Sequence, residues 1–245
     1  LMRQRYKLYN ITDNVIRVLY PAQCPVCGDK VPHKEGKIHF KCRDELPYIN
    51  GARCRKCSKE ISHRRAEYCY DCQRNRHLYR EGVALFGHKG KIKNAIYAVK
   101  YDNKREYLDF FADELIKEEQ ERIKKWNADM LVPVPLYKRK EIKRGFNQAD
   151  EFAKRIGRRM NIKVESDAIE RVKQTTPQKE LSDVQRRKNL EKAFKVNKNI
   201  VKSKKIIIVD DIYTTGSTID ACSEVLLRGG ADAVYFITMS IGNGL

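Results

Sequence analysis

The chain has 245 residues, eight cysteines and 51 Lys and Arg against 32 Asp and Glu, a formal net charge of +19. That length is enough for one large or two small domains with a real core, and the lack of any apolar run of about 18 residues excludes a helical membrane span. The opening LMRQRYKLYNITDN has no signal-peptide apolar core, so the expectation is a soluble, cytoplasmic protein, where clustered cysteines bind metal more often than they form disulfides.

The positive charge concentrates in residues 21–80 and 137–195 and suits polyanionic partners: nucleic acid, phosphorylated ligands or an anionic membrane face. A lysine-rich, well-solvated surface would give the same count.

In chain order, residues 1–20 predict a short amphipathic helix or arm with Val15, Ile16 and Leu19 near one face. Residues 21–80 hold seven of the cysteines and little that could form a conventional core. CPVCG (Cys24, Cys27), CRKCS (Cys54, Cys57) and CYDC (Cys69, Cys72) share a two-residue spacing, which lets one tight turn aim both sulfurs at one ion. Cys42 has no such cysteine partner, but His39 stands three residues before it, and imidazole is an ordinary zinc ligand. Two structural zinc ions are predicted. The sequential assignment puts Cys24, Cys27, His39 and Cys42 on one and Cys54, Cys57, Cys69 and Cys72 on the other; a cross-brace would use the same eight residues. Four protein ligands close a site to catalysis. His33, His63 and His77 lack ligand spacing and read as surface residues.

Residues 81–245 read as an α/β domain with a mainly parallel sheet flanked by helices. GVALFGH and NAIYAVKY are strand-like or mixed. REYLDFFADELIKEEQERIKKW is an amphipathic helix with Leu108, Phe111 and Leu115 in register. A short strand at Leu131 and Val132, a proline-punctuated loop and another helix follow. The long charged connection before residue 195 is unusual unless it works as a lid or binding loop. Ile206 to Val209 form a strand buried on both faces, Ile219 to Leu226 have helical spacing ending at Gly229-Gly230, Cys222 lies on the apolar side of that helix, and AVYFITMSI is the last strand.

The stretch IIIVDDIYTTGST joins the last strand–helix unit. A glycine-containing loop at a helix N-terminus points backbone N–H groups at an anion. Thr214, Thr215, Ser217 and Thr218 add hydroxyl donors, and Gly216 frees the backbone. There is neither the lysine of a nucleoside-triphosphate loop nor a dinucleotide fingerprint. Asp210 and Asp211 would repel a phosphate, so they require hydroxyls or a cation. A sugar phosphate supplies both needs, its phosphate in the loop and its ring hydroxyls on the acids.

The same stretch resembles the signature of type I phosphoribosyltransferases, which implies phosphoribosyl pyrophosphate (PRPP) bound with Mg²⁺. VPVPLYKRKEIKRGFNQA and RVKQTTPQKELSDVQRRKNLEKAF, after a cysteine module, resemble the ComF family over the chain from Cys24 onward. That family usually has cysteine where this chain has His39. The resemblance implies a double zinc ribbon, or a similar finger, fused to a type I phosphoribosyltransferase-like fold. The implied role is uptake of transforming DNA, with single-stranded DNA and uptake proteins at the inner membrane face as partners. It implies pyrophosphate near Pro133 to Arg139, with Lys138, Arg139 and Arg144 as charge partners, and a covering loop from Arg171 to Asn189 making contacts through Thr175, Gln178, Arg186 and Asn189. Asn147, Gln148, Lys100 and Tyr101 also fall on family positions. Two functions compete: transfer of the phosphoribosyl group to an unidentified base, with Asp210 and Asp211 holding the ribose, or binding alone. In the second, Phe40, Tyr68 or Tyr70 stack on bases, or else pack around zinc.

Overall fold

A computed structural model describes residues 21–61, 66–173 and 193–242. The predicted N-terminal arm, His63 and the loop residues Thr175, Gln178, Arg186 and Asn189 lie outside them.

The cysteine region carries two short helices, α1 (Phe40–Arg43) and α2 (Tyr70–Arg74). The α/β part begins with β1 (Gly82–Gly87), α3 (Gly90–Tyr101), α4 (Tyr107–Lys125), β2 (Met130–Pro133), α5 (Lys138–Arg144) and α6 (Gln148–Met160). It continues with β3 (Lys163–Val164), β4 (Ile169–Arg171), β5 (Phe194–Val196), α7 (Lys198–Val201), β6 (Lys205–Tyr213), α8 (Ser217–Arg228) and β7 (Ala233–Ile241). Five strands form one parallel sheet in the order β1-β7-β6-β2-β3, and β4 pairs antiparallel with β5 beside it. The central strands are apolar without alternation because both faces are covered. Ile207 and Val209 join α3, α4 and α6 on one face, while Ile206 and Ile208 join α8 on the other.

Four elements differ from expectation. NAIYAVKY belongs to a helix: Ile92, Ala95, Ile96 and Val99 recur at helical spacing and are buried together. The proline-punctuated loop after β2 contains α5. β6 runs to Tyr213 rather than ending at Val209, because its pairing with β7 continues through Asp210↔Thr238 to Tyr213↔Ile241; both aspartates are therefore strand residues. The cysteine region also shares in the core. Cys24, Val31, Ile38, Cys42 and Leu46 pack into the cluster on one face of the sheet, and Cys54, Cys57 and Cys69 into the cluster on the other. Lys37 to Asp113 at 2.5 Å and Arg53 to Glu119 at 2.5 Å tie that region to α4. Between the two cysteine sets, Pro47 to Ile49 run along β1: Tyr48 bridges Phe86 in antiparallel fashion, and Gly87 N donates to Pro47 O at 2.8 Å.

Candidate functional site

The cysteines assemble sequentially. Ligand atoms of Cys24, Cys27, His39 and Cys42 lie within 4.8 Å of one another, and so do those of Cys54, Cys57, Cys69 and Cys72, which decides against the cross-brace. His39 Nδ1 is 3.4 Å from Cys27 Sγ, while its Nε2 is 3.0 Å from the carbonyl of Lys30. A backbone acceptor on the far nitrogen holds the proton there and leaves Nδ1 free for a metal. Three sulfurs and one nitrogen, and four sulfurs, are both closed tetrahedral donor sets that fit structural zinc.

At the carboxyl end of β6 the chain turns into α8 through Thr214, Thr215 and Gly216. Gly216 has φ +84°, and a side chain there would put Cβ 2.6 Å from Tyr213 Oη and 3.1 Å from His77 Cε1, so only glycine fits. Thr214 is exposed, Thr215 and Thr218 are partly so, and the buried Ser217 hydroxyl lies 2.8 Å from Thr215 Oγ1. The amide groups that open this 12-residue helix face the same end of the sheet as the acids.

The two acids occupy different surroundings. Asp211 is 6% exposed; its Oδ2 accepts from Gln148 Nε2 at 2.6 Å and pairs with Lys100 Nζ at 2.9 Å. Asp210 is partly buried and accepts from the Asp211 amide at 2.8 Å. Burial first, then the neighbouring Asp211, pushes its carboxyl up to about 7, against the smaller opposing pull of Lys100 and Arg171.

RGFNQ explains itself residue by residue. Arg144 donates to Gln148 Oε1, and Gln148 donates on to Asp211. Gly145, at φ +80°, closes α5 in the left-handed conformation. Phe146 lies under the Arg105 guanidinium, 4.1 Å from ring centre to carbon. Asn147 caps α6 by accepting from Ala149 N at 3.0 Å and donates to Val134 O at 3.0 Å.

Two cavities flank this network. One of about 370 Å³ is lined by Lys100, Tyr101, Asn103, Lys140, Lys143, Arg144 and Phe146, four cations and no carboxylate. Partial burial first, and then Arg171 and Arg144 nearby, hold the Lys140 ammonium below the usual lysine value. The other, about 490 Å³, sets Lys138 and Arg171 among four acids, Glu141, Asp150, Asp167 and Glu170. Of the residues predicted for pyrophosphate, Arg144 thus lies in a cationic cavity, Lys138 in one rich in acids, and Arg139 is exposed and lines neither.

Lys140 and Lys143 were not singled out from sequence, although their spacing with Arg144 places all three near one helical face. His77 corrects an expectation: it is 4% exposed rather than a surface residue, because Nδ1 is 2.7 Å from Asp220 Oδ2 on α8. Phe40, Tyr68 and Tyr70 are exposed by 61%, 41% and 63%, so they do not pack around the metal sets. Cys222 is buried as expected. No helix among the described residues is long and apolar enough to cross a membrane.

Residues 15–73 match the protein-family model described as "Double zinc ribbon domain", and residues 110–240 match "Phosphoribosyl transferase domain". The chain is 40% identical over 106 residues to "DNA utilization protein YhgH" of Escherichia coli (strain K12), covering 43% of this chain and 46% of that protein. It is 37% identical over 108 residues to "Competence protein F" of Haemophilus influenzae, covering 43% and 47%. With "Competence protein ComFC" of Streptococcus pneumoniae it shares 29% identity over 168 residues, 66% of this chain and 71% of that protein. The match thus spans about half the length of the first two relatives.

Proposed function

Because the chain belongs to the phosphoribosyl transferase domain family and carries a double zinc ribbon ahead of that domain, we propose that it binds PRPP with Mg²⁺ at the carboxyl end of its sheet. We place that binding in a ComF-type role in DNA uptake, with single-stranded DNA as the partner. The observation that carries the reading is the succession at the end of β6: two acids on the strand, a glycine turn at φ +84° and the start of a 12-residue helix. The 5′-phosphate sits on the amides and hydroxyls of residues 214–218, and the ribose hydroxyls reach Asp210 and the edge of Asp211. The pyrophosphate belongs with Lys100, Lys140, Lys143 and Arg144 rather than with Lys138, since four cations without a carboxylate suit a polyanion and a cavity holding four acids does not. Mg²⁺ bound with the pyrophosphate would neutralise its charge.

The DNA part of the proposal draws on the names of the relatives and on surface chemistry. Tyr97 and Tyr101, 58% and 62% exposed with ring centres 4.5 Å apart, extend the cationic cavity as a stacking platform; Phe40, Tyr68 and Tyr70 offer a second one on the ribbons.

Calorimetric titration with PRPP, with and without Mg²⁺, tests the first part. Saturable binding that Asp210→Asn and Gly216→Ala weaken is expected, and no heat from the wild type sinks it. Pyrophosphate release with a panel of bases then separates transfer from binding alone. Titration of single-stranded DNA at several salt concentrations tests the second part, since phosphate contacts release counterions; affinity independent of salt refutes it.

A further inference from the structure

The second zinc ribbon does more than precede the ligand domain: the segment that leaves it is bolted to the anion loop. Only four residues separate Cys72 from His77. His77 Nδ1 pairs with Asp220 Oδ2 at 2.7 Å, and the amide of Leu78 donates to Asp220 Oδ1 at 3.0 Å. Both oxygens of one carboxylate in the first turns of α8 are thus held by consecutive residues of the ribbon's exit. Because the partner is a carboxylate, the His77 proton sits on Nδ1; Nε2 is buried and has no hydrogen-bond partner among the described residues. The same ring packs 3.1 Å from where a Gly216 side chain would begin and stacks on Tyr79 at 5.0 Å. Tyr79 Oη in turn meets Tyr213 Oη at 2.7 Å, just before the loop. From the ribbon side, Lys59 pairs with Asp71 inside the metal-binding loops and lies 5.9 Å from the Tyr213 ring centre. The loop from 214 to 216 is therefore fixed at both ends, Tyr213 and Asp220, by residues whose own positions depend on the Cys54, Cys57, Cys69 and Cys72 set.

The first cysteine set packs into the cluster on the opposite face of the sheet. It holds α4 through Lys37. The two sets are alike in spacing and unlike in what they support.

We propose that the second zinc ribbon is a positioning element of the phosphate loop, with His77 as its coupling residue, so that zinc in that ribbon and a phosphoryl ligand on residues 214–218 strengthen each other's binding. The ligand half rests on the function proposed above; the mechanical half does not. Coupling of this kind is reciprocal and typically falls in the range of about 5- to 150-fold.

The test uses the full zinc-loaded chain and three variants. His77→Phe keeps the ring volume and the stack on Tyr79 but removes the donor, His77→Asn keeps a donor near the Nδ1 position, and Cys27→Ser removes a ligand from the first set. Three quantities are read: amide hydrogen exchange over residues 214–220, zinc release to a chromogenic chelator, and PRPP affinity. His77→Phe is expected to raise exchange across the loop, to speed release of one of the two zinc ions about 10-fold and to weaken PRPP by a similar factor. His77→Asn restores most of each, and Cys27→Ser leaves the loop amides unchanged. PRPP slows release of that same zinc in the wild type and not in His77→Phe. Should His77→Phe fail to fold, Asp220→Asn gives the same readouts at smaller size. Unchanged loop exchange in His77→Phe, or an equal change in Cys27→Ser, overturns the proposal. PRPP binding that is equal across the variants overturns it too while leaving the ligand intact. A wild type that binds no PRPP but shows the exchange and zinc-release pattern overturns the ligand reading and supports the strut.

Discussion

Replacing Lys100 by Met tests whether its buried ion pair with Asp211 holds the carboxyl end of β6 together. The methionine keeps the stem's packing and removes the ammonium 2.9 Å from Asp211 Oδ2. The carboxylate is 6% exposed and keeps only the Gln148 bond. Breaking a buried pair on one side costs about 3–5 kcal/mol. Lys100→Met should therefore lower the melting temperature by roughly 6–20 °C, at about 2–4 °C per kcal/mol for a chain of this size. Adding Asp211→Asn, which still accepts from Gln148, should recover most of the loss, because no charge is left buried. Thermal unfolding of the wild type, the two single variants and the double variant, with zinc held constant, is the assay. A double variant no better than Lys100→Met refutes the argument that the uncompensated Asp211 carboxyl is the source of the loss.

Asp210 gives a pH effect. Its carboxyl, raised to about 7 by burial and by Asp211, stays protonated in the folded chain over a range where the unfolded chain has already lost the proton. Stability should fall as pH rises from about 4 to 7, by up to roughly 1.4 kcal/mol per unit, and Asp210→Asn should remove that slope in denaturant titrations; parallel curves for the two proteins would contradict it. Gly216→Ala forces a side chain to φ +84° within 2.6 Å of Tyr213 Oη, so about 1–3 kcal/mol of stability should be lost together with PRPP binding, read by melting and calorimetry. Native mass spectrometry should find two zinc ions per chain, and one after Cys54→Ser. A single ion in the wild type would remove the set containing His39.

The sheet was readable because its strands are long apolar runs bounded by polar turns: Ile206 to Val209 and AVYFITMSI leave no other home for that many branched and aromatic residues. NAIYAVKY was not, since eight residues satisfy a strand nearly as well as a helix, and its buried positions declare themselves only once Ile92 is counted with Ala95, Ile96 and Val99. The metal sets were legible down to His39 because ligand spacing is local; the choice of sequential pairing needed three dimensions. The acids at 210 and 211 stand out through their neighbours in the chain. Their separate fates were not, because they depend on residues more than 60 positions away, Gln148 and Lys100, which topology brings to the strand end. His77 failed for the same reason: nothing near it in sequence points to Asp220, 143 residues on.

The stretch from Pro47 to Ile49 has a bearing on how the protein behaves in a crowded cell. β1 is the outermost strand on its side, and an uncovered outermost strand invites neighbouring chains to add to it. Here the linker between the two metal loops occupies that flank, with Tyr48 opposite Phe86, while the far flank is only the two residues of β3. Starvation for zinc would thus unglue a guard rail as well as loosen a finger, and chains made under metal shortage should clump before they lose their helices.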